Sequence, residues 1–253
     1  MKRILAVASV TVREALRKKL QVNLLLFALL LLVVSAVVSS LTLGEAHRIA
    51  SDLGLTAMEA MGSLIAVFLG AGAIAGDVER RVLYPVVAKP VSRAEYLLGR
   101  YLGLAATLLL NLAVMAATLA AVLVVQEMSL RPLDLAFLAA VSTIGVQFLV
   151  VAAIAVFFSS ITTTTLAAIF GLALTFAGRL SNDLRTLWTG GGAGVGRALW
   201  YLLPNLSALS LNESVVYRTP PPAEAWLAVP YALLYAGAAL AIAAAVFERR
   251  DLR

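Results

Sequence analysis

The sequence predicts an all-α, polytopic membrane protein with about six transmembrane helices, and three observations predict it. Hydrophobic residues make up 62% of the chain and charged residues only 13%, against roughly 25% charged in an ordinary soluble domain. The hydrophobic residues gather in runs with no polar face, which a water-soluble helix needs in order to stay dispersed. The basic residues sit beside those runs, as membrane-flanking residues do, so the net charge of +6 reads as topology and not as a nucleic-acid surface. No cysteine is present, which excludes disulfides and thiolate metal sites. His47 is the single histidine, so the sequence predicts no metal-ion site.

A helix rising about 1.5 Å per residue needs about 20 apolar residues to cross about 30 Å of hydrocarbon. Six runs approach that length: 22–41, 60–76, 102–125, 133–158, 166–180 and 226–247. The fifth is short and follows Ser159, Ser160 and Thr162 to Thr165. Hydroxyls there can bond back to helix carbonyls, which allows that turn to lie partly within the membrane.

An even number of spans puts both termini on one side. Of the 20 basic residues, six precede span one, five lie between Arg80 and Arg100, and three end the chain at Arg249, Arg250 and Arg253. The remaining six are on the opposite side, four of them, Arg179, Arg185, Arg197 and Arg218, in or at the edge of one long loop where charge counts for little. Both termini and the loop after span two are therefore expected in the cytoplasm, in a plasma membrane. Residues 1–20 lack the compact apolar core and following cleavage site of a signal peptide. They instead put Ile4, Leu5, Ala8, Thr11, Val12, Ala15 and Leu16 on one helical face, with Arg3, Arg13 and Arg17 opposite. That predicts an amphipathic helix along the inner leaflet, with Glu14 and Lys18 as an i,i+4 pair.

The stretch from Asp77 to Gly103, DVERRVLYPVVAKPVSRAEYLLGRYLG, is too charged for the bilayer and too patterned for a slack linker. Val82, Leu83, Val86 and Val87 form a short apolar stripe, with Pro85 suited to a first helical turn. Lys89-Pro90 is a stop. Ser92 and Glu95 make an S-x-x-E capping box, so a second helix starts at Ser92 and runs into span three.

These residues resemble the cytoplasmic coupling segment of export-type (type-2) ABC transporter permeases. The matching residues are Pro90, Val91, Ser92, Arg93, Glu95, Tyr96, Leu97, Leu98 and Gly99. The Phe157-Phe158-Ser159-Ser160 turn and Leu203-Pro204-Asn205-Leu206-Ser207 are also similar to that family. One departure is Arg81-Val82-Leu83 followed by Tyr84-Pro85, where many members open the coupling helix with Gly-Thr-Leu.

The resemblance implies a permease subunit that forms a homodimer or heterodimer and is driven by separate ABC ATP-binding subunits, two copies in all. Those subunits would carry ATP and magnesium, and this chain would carry no cofactor. The apolar stripe would fill a groove of the ATPase, with Glu79, Arg80 and Arg81 at its rim and Pro90, Ser92, Arg93 and Glu95 shaping the exit. Gly191 to Ala198 has P-loop glycine spacing, but Arg197 and Ala198 stand where Lys and Ser/Thr are needed, and the segment falls in the outer loop. No H-E-x-x-H, G-x-S-x-G or other catalytic constellation occurs, so the chain is not expected to be an enzyme.

Polar groups within the spans are few. Asn111 and Gln147 sit well inside spans three and four, where interhelical hydrogen bonding is the plainer expectation and a substrate contact the sharper one. Glu59, Asp134 and Arg179 fall near span ends, within reach of the interface. Gly72/Gly76 and Gly99/Gly103 have G-x-x-x-G spacing, with helix packing the default and a dimer face the alternative. The outer loop, 181–224, with the start of span six places Trp188, Trp200, Tyr201, Tyr217 and Trp226 as interface residues and predicts a short helix dipping into the outer leaflet. Two rival classes fit less well. A secondary transporter would show buried charges or broken helices in symmetric halves. A non-transporting scaffold would recruit a soluble partner through the 77–100 loop.

Overall fold

The structure is a computed structural model and describes residues 2–17, 46–79, 92–127, 134–181 and 203–249, with positions 26, 27, 30, 31 and 33. Span one (22–41) lies outside the described residues except for those five positions, of which Phe27 and Leu31 are buried. Among the described residues all regular structure is helical. Four helices are long and apolar enough to cross a membrane: Arg48–Glu79, Arg93–Val125, Leu135–Ile161 and Ala225–Arg249.

Helix α1, Lys2–Arg17, is the expected amphipathic helix, but it is more than a lipid anchor. Its inward line of Ile4, Val7, Ala8 and Thr11 packs on the helix that starts at Arg93. Gly99 and Gly103 make this possible, since a Cβ on them would stand 2.7 Å from Val7 Cβ and 2.5 Å from Thr11 Cβ. This G-x-x-x-G is thus an internal packing seam. Leu5 and Val10 stay exposed on the other side, where they can meet lipid.

Helix α2 runs Ala46–Ala71 and is followed by a turn and a one-turn helix α3, Ala75–Glu79. The apolar run predicted only 60–76, because Arg48, Asp52 and Glu59 interrupt the hydropathy. The helix extends back from there because Ser51, Leu55 and Met58 share its buried face, an amphipathic pattern a hydropathy window does not register. Helix α4, Arg93–Glu127, opens with the predicted capping box. Ser92 N donates to Glu95 Oε2 at 3.0 Å and Glu95 N donates to Ser92 Oγ at 3.1 Å.

Helix α5, Leu135–Ile161, is capped by Asp134, whose Oδ1 accepts from Phe137 N at 2.9 Å. It is the most buried of the four long helices and packs against α2, α4, the helix that follows it and the last helix. A break at Thr162-Thr163 separates it from α6, Thr164–Arg179. With 16 residues, α6 is about 24 Å long, short of a full crossing. A 3-10 turn at Ser207–Leu209 and α7, Asn212–Val216, lie in the stretch predicted to hold a short outer-loop helix, with α7 against α2 and α5. Helix α8, Ala223–Arg249, carries Pro230 in its interior.

Polar contacts gather at two ends of this bundle. One end joins α1, α3, the start of α4, the α5–α6 break and the end of α8. The other joins α2, the end of α6 and the 205–217 region.

Candidate functional site

Where α2 gives way to α3, the residues 72–74 interrupt the helical hydrogen bonds, leaving donors and an acceptor to be satisfied elsewhere. Ser159 of α5 satisfies them with one hydroxyl. It accepts from Ile74 N at 3.1 Å and Ala75 N at 2.9 Å, and donates to Ala71 O at 2.6 Å. Both lone pairs and the proton are thereby used, and the residue is wholly buried. The neighbouring hydroxyls behave as the sequence predicts: Ser160 donates to Phe157 O and Thr162 to Phe158 O. The cross-helix role of Ser159 has no such local signal.

Three residues after the break, Asp77 is buried and its Oδ2 accepts from Tyr96 OH at 2.5 Å and Arg100 Nε at 2.7 Å, with Arg100 Nη2 as a third donor. Arg100 Nη1 reaches on to Glu14 Oε2 at 3.0 Å and Thr11 Oγ1 at 3.3 Å. The guanidinium is therefore the joint of three elements, α1, α3 and α4. A fork of fixed donors suits this, since Nε and Nη2 meet Asp77 while Nη1 meets Glu14 and Thr11 without the group moving. Glu79 extends the web, its Oε1 accepting from Thr164 N at 3.0 Å. A carboxylate there complements the positive end of α6.

The other border of the coupling segment is held as firmly. Arg93 Nη1 donates to the carbonyls of Phe247 and Glu248, both at 3.1 Å, which satisfies carbonyls at the end of α8 that have no helical partner. Thus Glu79, Ser92, Arg93 and Glu95 are brought to one end of the bundle, flanking residues 80–91. The stripe Val82, Leu83, Val86 and Val87, together with Arg80, Arg81 and Pro90, lies outside the described residues.

The chain matches the ABC-2 family transporter protein family over residues 4–252. It belongs to the ABC-2 transporter family. A search of curated proteins finds no match. As an ABC-2 permease it is a multi-pass membrane component of an ABC transporter, a transport subunit and not itself the catalytic one, and the family implies association with an ABC ATP-binding subunit.

The far end of this permease shows what the sequence reading of Glu59 left out. Because α2 starts at Ala46, Glu59 is more than three turns inside the helix, and it is 3% exposed. It pairs with Arg179, Oε2 to Nη1 at 3.1 Å, while Oε1 accepts from Ser210 Oγ at 3.3 Å. The Leu-Pro-Asn-Leu-Ser motif serves the same end. Asn205 Oδ1 accepts from Ser181 Oγ, Ser207 Oγ and Ala208 N, and Leu206 N donates to Gly178 O, so the motif ties the end of α6 to the 3-10 turn. Asn111 and Gln147 are buried in α4 and α5, yet among the described residues neither amide atom of Asn111 has a hydrogen-bond partner, nor has Gln147 Oε1. Among the described residues these atoms make no interhelical hydrogen bond.

Proposed function

We propose that this ABC-2 permease is the membrane subunit of an exporter in the plasma membrane, with residues 80–91 as its cytoplasmic contact with the ATPase. One observation carries the reading: both borders of that segment are anchored to the bundle by charged groups. Asp77 and Glu79 tie the entry to α1, α4 and α6, and Arg93 ties the exit to α8. A push on a segment so held reaches four helices without passing through slack chain. The permease functions as a homodimer or heterodimer with two ATP-binding subunits, which supply ATP and magnesium; this chain itself holds no cofactor. Both termini face the cytoplasm, a reading supported by the gathering of α1, the 80–91 borders and the end of α8 at one end. The scaffold alternative needs only a docking loop and gives no reason for the web behind it.

Replacing Leu83 and Val87 together by Asp tests this reading. Unpaired charge in an apolar contact costs several kcal/mol, so the ATPase should no longer co-purify, while the permease still inserts in the membrane. Co-purification and stimulated hydrolysis at wild-type levels would end the coupling assignment.

A further inference from the structure

Gly72 and Gly76 have the same G-x-x-x-G spacing as Gly99 and Gly103 but not the same use. A Cβ on Gly99 or Gly103 would collide with α1. On Gly72 it would meet nothing nearer than the chain's own Phe68 O at 3.6 Å, and on Gly76 nothing nearer than Thr164 Oγ1 at 3.8 Å, both ordinary contacts. Neither glycine adopts the left-handed backbone that ends many helices. Close approach and a positive φ, the two usual reasons for a glycine, are thus both absent at these positions in this conformation. A methyl group would fit at either, and alanine would favour the folded chain by restricting the unfolded one.

Their place in the fold supplies a different reason. Gly72 opens the break between α2 and α3, and Gly76 is the second residue of α3. The backbone of that break is tied to α5 by a single hydroxyl, Ser159 Oγ, which holds Ile74 N, Ala75 N and Ala71 O. Rotation of one side chain to another rotamer releases all three contacts. Beside α3 is a cavity of about 250 Å³ walled by Phe68, Leu69, Leu104 and Thr164, with both glycines on its lining. Beyond the break, α3 carries Asp77, bound to Tyr96 and Arg100, and Glu79, bound to Thr164 N. A one-turn helix with a permissive root and empty space beside it can turn as a unit and carry those contacts with it.

We infer that residues 72–76 form a hinge about which α3 turns into this cavity, with Gly72 and Gly76 permitting the backbone of the second position and Ser159 acting as the catch that holds the first. Hinges of this kind absorb a change of φ and ψ at a few positions. The use of the movement rests on the proposed coupling role of residues 80–91, which follow α3; the hinge itself does not.

The test is Gly72→Ala/Gly76→Ala in the full chain, first in nanodiscs without the ATPase. Its thermal midpoint should equal or exceed that of the wild type, whereas Gly99→Ala, whose Cβ would stand 2.7 Å from Val7 Cβ, should melt lower. Amide exchange in the peptide covering 72–79 should slow about fivefold, because the opening that exposes Ile74 N and Ala75 N is restrained. Ser159→Ala removes the catch and should speed the same exchange about fivefold or more. With the ATPase added, the double variant should lose about tenfold in permease-dependent hydrolysis. A lower midpoint would show that packing needs the glycines, and unchanged exchange would show that the break does not open at them; either result overturns the hinge. Slower exchange with unchanged hydrolysis would uphold the hinge and contradict the coupling reading instead.

Discussion

The two ends of the bundle handle buried charge in opposite ways. At the α3 end, Asp77, Tyr96, Arg100, Glu14 and Thr11 form a closed web in which one carboxylate oxygen takes three donors and each terminal nitrogen of Arg100 has an acceptor. At the α7 end, Glu59 and Arg179 form one pair, and among the described residues Arg179 Nη2 has no partner. A fully satisfied network rigidifies what it joins, and a partly satisfied one is open to a ligand or to rearrangement. In the proposed reading the first end transmits force, and the second is the one free to rearrange.

Arg100→Leu should have the largest effect. It leaves Asp77 buried without its counter-charge, at a cost of about 3–5 kcal/mol, so the thermal midpoint of the purified chain should fall more than in any other variant here. Ser159→Ala comes next. It strands two amide donors and one carbonyl at the α2–α3 break, and the expected loss is about 2 kcal/mol, read by the same melt. Were Ser159→Ala neutral, the break would have another source of stability. Glu59→Gln sharpens the other side of the comparison. Arg179 is 30% exposed and can recruit solvent or headgroups, so the cost should be only about 1 kcal/mol. A loss as large as that of Arg100→Leu would erase the distinction between the two ends. The smallest effect has the opposite sign: Asn111→Leu removes a buried amide with no partner and should raise stability by about 1 kcal/mol. Unchanged stability with impaired transport would instead place Asn111 on the substrate path.

Local chemistry was legible before the structure, and tertiary chemistry was not. Ser92 and Glu95 lie three residues apart, so their capping box could be named in advance, and the short break after Ser159 announced itself through its hydroxyls. The start of α2 was missed because Arg48, Asp52 and Glu59 lower the local hydropathy although the buried face continues through Ser51, Leu55 and Met58. The Asp77–Arg100 pair spans 23 residues and the Ser159 contact with Ile74 spans 85. Both form only when the chain folds back on itself, so neither leaves a periodic mark. Asp77 and Arg100 do have one faint signal in common, since they bracket the charged segment where apolar sequence stops and resumes.

In the proposed coupling, the Asp77–Arg100 web passes movement of residues 80–91 into the helices. The most direct measurement takes the complex with the ATPase, replaces Asp77 by Asn and Arg100 by Gln together, and follows ATP hydrolysis in proteoliposomes. The pair of changes removes opposite charges at once, so neither is left buried alone, and it leaves Val82 to Val87 intact. The prediction is that the ATPase still co-purifies in full while the permease-dependent part of its hydrolysis falls at least tenfold. Hydrolysis that still responds to the permease at the wild-type level would show that the signal reaches the bundle by another route and contradict the claim.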